Sequence, residues 1–191
     1  YTGDGTSGVY IYGAQLEQGS YATSYIPTQG SAATRSADVC NNGANEQVIN
    51  STEGVLYFEG SALINGGSDR RISISDNSGS NRVFLSYHNN VNSFVLGVSA
   101  SGSSIYQSYF NASIDQSQNN KIAVKYKSGD TAVWINGVEK FTKTDAFNIS
   151  VLNKLHLANN SGLSNTFNGN VKDVRLYNTA LTDSELQALT T

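Results

Sequence analysis

The sequence predicts an antiparallel β-sandwich, and three observations carry that expectation. Ser, Asn, Thr and Gly crowd a chain of 191 residues that holds 18 Gly and 11 Tyr but no Met, a composition of strands and turns. From residue 53 onward, short apolar runs recur between turn residues. A helical period surfaces only in the last segment, which leaves the body of the chain to strands.

The elements follow in order. In "GVYIYGAQL" Val9, Ile11 and Gly13 share one face of an extended strand, and Tyr10, Tyr12, Ala14 and Leu16 share the other. Both faces are apolar, so this strand reads as one with neighbours on either side. Residues 18–50 lack sustained periodicity. Pro27 removes a donor and Gly19, Gly30 and Gly43 loosen the backbone, the signature of a linker laid over a surface. Ten strands are then expected: "GVLYFEG", "RISISD", "NRVFLSY", "SFVLGVS", "SIYQSYF", "KIAVKY", "TAVWING", "VEKFTK", "KLHLAN" and "VKDVRLY".

Two turns fix local register. Ser128-Gly129 makes a two-residue hairpin loop, which sets Lys125 opposite Ala132, Val124 opposite Val133 and Ala123 opposite Trp134. Ile122, Val124, Val133 and Ile135 then face the core, and Trp134 falls on the other side. Asn136-Gly137 is a second hairpin signal, and an unbroken register through it places Phe141 on the Trp134 face. In "NTALTDSELQALT" Thr182 is an N-cap, Glu185 completes a capping box, and Leu181 staples against Leu186. That makes a short closing helix.

Composition excludes several function classes. Charged residues are 14% of the chain and the net charge is −3, so there is no basic surface for a phosphate backbone and no nucleic-acid partner is expected. No apolar run approaches the roughly 18 residues of a membrane span, so no membrane insertion is expected. Cys40 is the one cysteine, too few for an intrachain disulfide or a thiolate metal site. Asp69, Asp76 and Asn77 come nearest to a set of hard oxygens, but their spacing matches no calcium loop. Neither a metal nor a cofactor is expected.

"NKIAVKYKSGDTAVWINGVEKF" followed by "LNKLHLANNSGLSNTFNGNVKDVRLYNTALTDSELQALT" resembles the C-terminal half of a concanavalin A-like, laminin G-like sandwich, a jelly roll closed by a helix. The resemblance covers roughly residues 53–191. The string "GAQLEQGSYATSYIPT…TRSAD" joined to "EGVLYFEGS" is similar to modules of bacteriophage tail fibres and other virion proteins. The resemblance implies that residues 1–28 hold the last strand of an upstream β-module and the start of a connector, 29–52 the linker, and 53–191 the sandwich. It also implies a homotrimer and a place on the virion surface, outside the cell.

Catalysis is not expected. A glycosidase needs two carboxylates facing each other across a cleft, and no E-x-D-x-E cluster appears. Glu53 and Glu59 flank an apolar strand, and Asp173 shares its face with Arg175 and reads as a surface pair. No lyase motif joins the five arginines, Arg35, Arg70, Arg71, Arg82 and Arg175, to a base. His88 in a turn and His156 on a strand read as surface histidines.

Glycan recognition needs an aromatic ring against a sugar face with amides and hydroxyls around it. Trp134, outside the inner core over Ala123, is one candidate platform, with burial under a loop, the N-terminal strand or another subunit as the competing reading. The turn after the third expected strand offers Tyr87, His88, Asn89, Asn90 and Asn92, and "SIYQSYF" adds Tyr106 and Tyr109. Asn159, Asn160 and Asn165 form a further amide-rich loop, although such loops are also good turn formers. The expected function is a non-catalytic module of a phage tail or head fibre that binds host cell-surface polysaccharide. The alternatives are a structural fibre or capsid-decoration module without ligand, and a carbohydrate-binding module of a secreted bacterial protein.

Overall fold

The computed structural model describes residues 4–6, 8–16, 25–28, 30–34, 43–62, 69–88, 93–159 and 164–191. The chain divides into two compact units, Tyr1–Asp38 and Val39–Thr191. In the first unit, residues 8–16 pair with no strand among the described residues. A strand needs a ladder partner, and without one Val9, Tyr10, Ile11, Tyr12 and Leu16 stand exposed. The two-faced strand read from the sequence is therefore absent from the described residues as a paired strand. Gln15 Oε1 accepts from the Ile26 N–H at 2.8 Å, and the rings of Tyr12 and Tyr25 stand 5.8 Å apart. Cys40 and most of the linker lie outside the described residues.

Among the described residues, the second unit is a sandwich of ten strands with one short helix. The strands are β1 (Glu53–Ala62), β2 (Arg70–Ser75), β3 (Arg82–Tyr87), β4 (Ser93–Ala100), β5 (Ser103–Asn111), β6 (Asn120–Lys127), β7 (Thr131–Ile135), β8 (Val138–Lys143), β9 (Lys154–His156) and β10 (Gly169–Tyr177); the helix is α1 (Asp183–Thr190). Each expected strand is present. They form two five-stranded antiparallel sheets, β10-β1-β6-β7-β8 and β5-β4-β3-β2-β9. β1 and β10 pair from Val55↔Tyr177 to Ala62↔Gly169, so the first and last strands of the unit close on each other.

Alternation decides what lies between the sheets. Leu56, Phe58, Ile122, Val124, Val133 and Ile135 point inward from the first sheet, and Ile72, Ile74, Val83, Leu85, Leu96 and Val98 from the second, all buried. The β6–β7 register is the one the Ser128-Gly129 turn dictates, Ala123↔Trp134 included. Beyond the second turn the expectation fails. A bulge between Val133 and Trp134 sets Val133 opposite Phe141 and Trp134 opposite Glu139, which turns Phe141 to the core side.

The outer face of the first sheet is roofed by α1. Thr182 caps it, with the Glu185 N–H donating to Thr182 Oγ1 and the Thr182 N–H donating to Glu185 Oε2 at 2.8 Å. Leu186 is fully buried against Val55, Tyr57, Ala123, Ala132 and Trp134. Lys125 fastens the roof. Its Nζ lies 2.8 Å from Asp130 Oδ1 and 3.3 Å from Asp183 Oδ1 at the helix start. Burial works against the charge of Lys125, but the two carboxylates outweigh it and hold its pKa above the ordinary value.

Candidate functional site

The outer face of the second sheet brings charged, polar and aromatic side chains together in rows. Strand register sets its rows: Arg71, Ser86, Val95 and Tyr109 stand side by side across β2-β3-β4-β5, with Ser73, Phe84, Gly97 and Gln107 in the next row and Ser75, Arg82, Ser99 and Ser104 in the third. Phe84 is an aromatic ring on an outer face, yet it is buried. The Arg71 guanidinium carbon lies 3.8 Å from its centroid and that of Arg82 5.1 Å, so two cations share one ring. Gly97 makes this possible, because a Cβ there would meet Phe84 Cε1 and Cζ at 2.2 Å.

A polar track runs along this face. Arg82 Nη1 donates to Asn159 Oδ1 at 2.8 Å, and Arg71 Nη1 donates to the same oxygen. Arg71 Nη2 lies 4.0 Å from Asp69, and His88 Nε2 lies 3.9 Å from Asp69. The His88 ring meets Tyr109 edge-on, with centroids 5.3 Å apart. Gln107 Nε2 donates to Tyr109 Oη at 3.4 Å. Tyr109 is 60% exposed, so the track ends in an open aromatic face. Behind it, buried Arg70 donates from Nη2 to the His88 carbonyl at 3.2 Å and to Gln116 Oε1 at 3.3 Å, which pins the backbone of His88.

Electrostatics on this face are under tension. Burial pushes the Arg71 guanidinium down to about 10, and the charge of Arg82 acts in the same direction. Burial also lowers Arg82. His156, opposite Ser73 on β9, is fully buried and neither ring nitrogen has a partner among the described residues; burial and then Lys154 lower its pKa. The sequence reading of His156 as a surface histidine is thus corrected.

The expected site residues separate. Trp134 is buried beneath α1 in contact with Leu186, so its ring is covered and offers no sugar platform. Tyr87 points into the core, 4.8 Å from Phe94 and 5.5 Å from Phe167. Tyr106 is also buried on the inner side, opposite Val98. Both lose the role expected of them because they fall on the apolar phase of their strands. Asn89, Asn90 and Asn92 lie outside the described residues. His88 and Tyr109 are brought together, with Asn159 at the far end of the same track. Arg71, Arg82 and Phe84 went unread, although the alternation of "RRISIS" and "RVFLSY" places all three on the serine phase. Asp76 turns inward on its own loop, its carboxylate accepting from the N–H groups of Ser78, Gly79 and Asn81.

A separate hollow of about 430 Å³ opens where the segment before β1 meets Ser150, Val151 and Asn178. Its lining holds no aromatic ring and none of the track residues.

A family model, the concanavalin A-like lectin/glucanases superfamily, matches residues 62–187. The chain belongs to this superfamily. Among solved structures the sandwich is similar to the CBM40 module of a Ruminococcus gnavus IT-sialidase, with TM-score 0.62 at 14% identity over 81% of this chain and 96% of that one. A heptameric SAP-like pentraxin from Limulus polyphemus gives TM-score 0.56 at 12% identity over 80% and 73% of the two chains. Galectin-Ib from Xenopus laevis gives 0.52 at 12% over 73% and 99%. At these identities the likeness is one of fold. Among curated proteins, none matches the chain in sequence.

Proposed function

We propose that the sandwich is a non-catalytic glycan-binding module and that the sugar docks on the outer face of the β5-β4-β3-β2-β9 sheet. The observation that carries this reading is Tyr109, an exposed ring steadied by His88 and Gln107 at the open end of a polar track. An aromatic face bordered by hydrogen-bonding groups is what a pyranose requires. Neighbours named as a carbohydrate-binding module and a galectin support the reading.

The non-catalytic part rests on the opposite sheet. Glu59 and Asp173 stand directly opposite each other there, the geometry in which a carboxylate pair could act. Glu59, however, is held down to about 2 by Lys172 and Asn119, and Asp173 is bound to Arg175 at 2.6 Å. Glu59, held that low, cannot keep the proton a general acid must donate.

The setting proposed is a phage fibre on the virion surface, where weak sites gain strength from several copies of the chain in a homotrimer and meet host polysaccharide. The exposed run Val9, Tyr10, Ile11, Tyr12 and Leu16 supports a contact with other copies or with a preceding module. A glycan array probed with the multimerised chain tests the site. Tyr109→Ala is expected to lose binding while keeping the wild-type circular dichroism spectrum. Unchanged binding by that variant would remove the site from this face.

A further inference from the structure

Among the described residues, the outer face of the second sheet holds more positive charge than its carboxylates answer. Two guanidiniums converge on a single neutral oxygen, Asn159 Oδ1. Among the described residues, Asp69 is the carboxylate that meets the pair, at 4.0 Å from Arg71 and shared with His88. Arg82 reaches no described carboxylate; its Nε donates to Ser99 Oγ at 3.3 Å. A second observation is independent of charge. Arg71 Nε and Ser86 Oγ, on directly opposed buried residues, have no hydrogen-bond partner among the described residues. Buried unpaired polar atoms are few in native folds, and these two flank the track.

On the glycan-binding reading above, we infer that Arg71 and Arg82 form a subsite for the carboxylate of an acidic sugar, which takes the place of Asn159 Oδ1 between the two guanidiniums. A carboxylate brings full charge and two oxygens to a fork geometry that an amide meets with one. Asn159 is built to yield. Its backbone carbonyl is held by Ser73 Oγ at 3.0 Å, while its Nδ2 has a long 3.4 Å contact to Ser164 Oγ, so the side chain can swing on a fixed backbone. The backbones of Arg71 and Tyr109 stand three strand spacings apart, about 14 Å, but Asp69 and His88 link their side chains across that span, so a bound acidic sugar lies between the arginines and the exposed ring.

The test uses the full chain, multimerised, against pairs of oligosaccharides identical except that a hexuronic or nonulosonic carboxyl is intact in one and reduced to the alcohol in the other. Intact members are expected to bind roughly tenfold or more tightly, the worth of charge-assisted hydrogen bonds. Asn159→Asp places a carboxylate of the protein's own between the arginines. It is expected to raise the melting temperature and abolish the preference for intact over reduced sugar. Equal binding of both members overturns the carboxylate subsite and leaves glycan binding standing. A preference that survives Asn159→Asp in a folded variant overturns the displacement of Asn159. A verified multimer that binds no glycan of either kind overturns both readings.

Discussion

Gly97→Ala is the smallest change that reaches the track without touching a polar group. The added Cβ would stand 2.2 Å from two carbons of Phe84, more than about 1 Å inside the ~3.5 Å contact distance of carbon atoms. Phe84 has little room to retreat. It is buried, Arg71 lies 3.8 Å over its ring, and its own backbone is paired to Gly97. Overpacking costs about 1–3 kcal/mol, and a ring this confined places the variant at about 3. For a unit of this size that lowers the melting temperature by about 6–12 °C. Thermal unfolding by circular dichroism gives the number. Adding Phe84→Leu to Gly97→Ala should restore at least about 1 kcal/mol relative to the sum of the two single changes, because the clash is with the ring. A melting temperature within about 1 °C of wild type, or strictly additive single changes, would refute the argument that Gly97 exists to seat Phe84.

Two further outcomes follow from other parts of the fold. Trp134→Ala should destabilise the unit by about 3–5 kcal/mol by opening a cavity beneath α1, with no loss of glycan affinity in the fraction that remains folded; a stable variant that has lost binding would return Trp134 to the site. His156 has a folded pKa below its ordinary value of 6.5, so the unfolded chain takes up a proton that the folded chain refuses. Its contribution is present above 6.5 and declines as pH falls toward the folded value, so urea midpoints of wild type should drop between pH 7.5 and 5 more steeply than those of His156→Phe.

The strands were legible because each apolar run is short and bounded by turn residues, and Ser128-Gly129 fixed the β6–β7 register down to Ala123↔Trp134. The bulge after Val133 was not, because nothing in "VWINGVEKF" marks an extra residue, and it sent Phe141 to the opposite side from the one expected. Position along the chain pointed to Tyr87 and Tyr106, but strand phase decided against them, since each lies opposite an inward apolar residue, Phe94 and Val98. His88 and Tyr109 were found as residue types in separate segments; their meeting depends on β3, β4 and β5 lying side by side. The arginine pair was hidden for the same reason. Arg71 and Arg82 are ordinary polar-phase residues until the β2–β3 register sets them around Phe84.

Trp134 is the chain's single tryptophan, and it sits under α1 on the sheet that faces away from the track. Its emission is therefore a native optical gauge of whether the helix is seated. Sugar arriving at Tyr109 should leave that signal flat. A titration followed by tryptophan quenching would read silence as failure to bind, so affinity on this scaffold has to be followed by heat, mass or tyrosine resonances, with the indole kept to report folding alone.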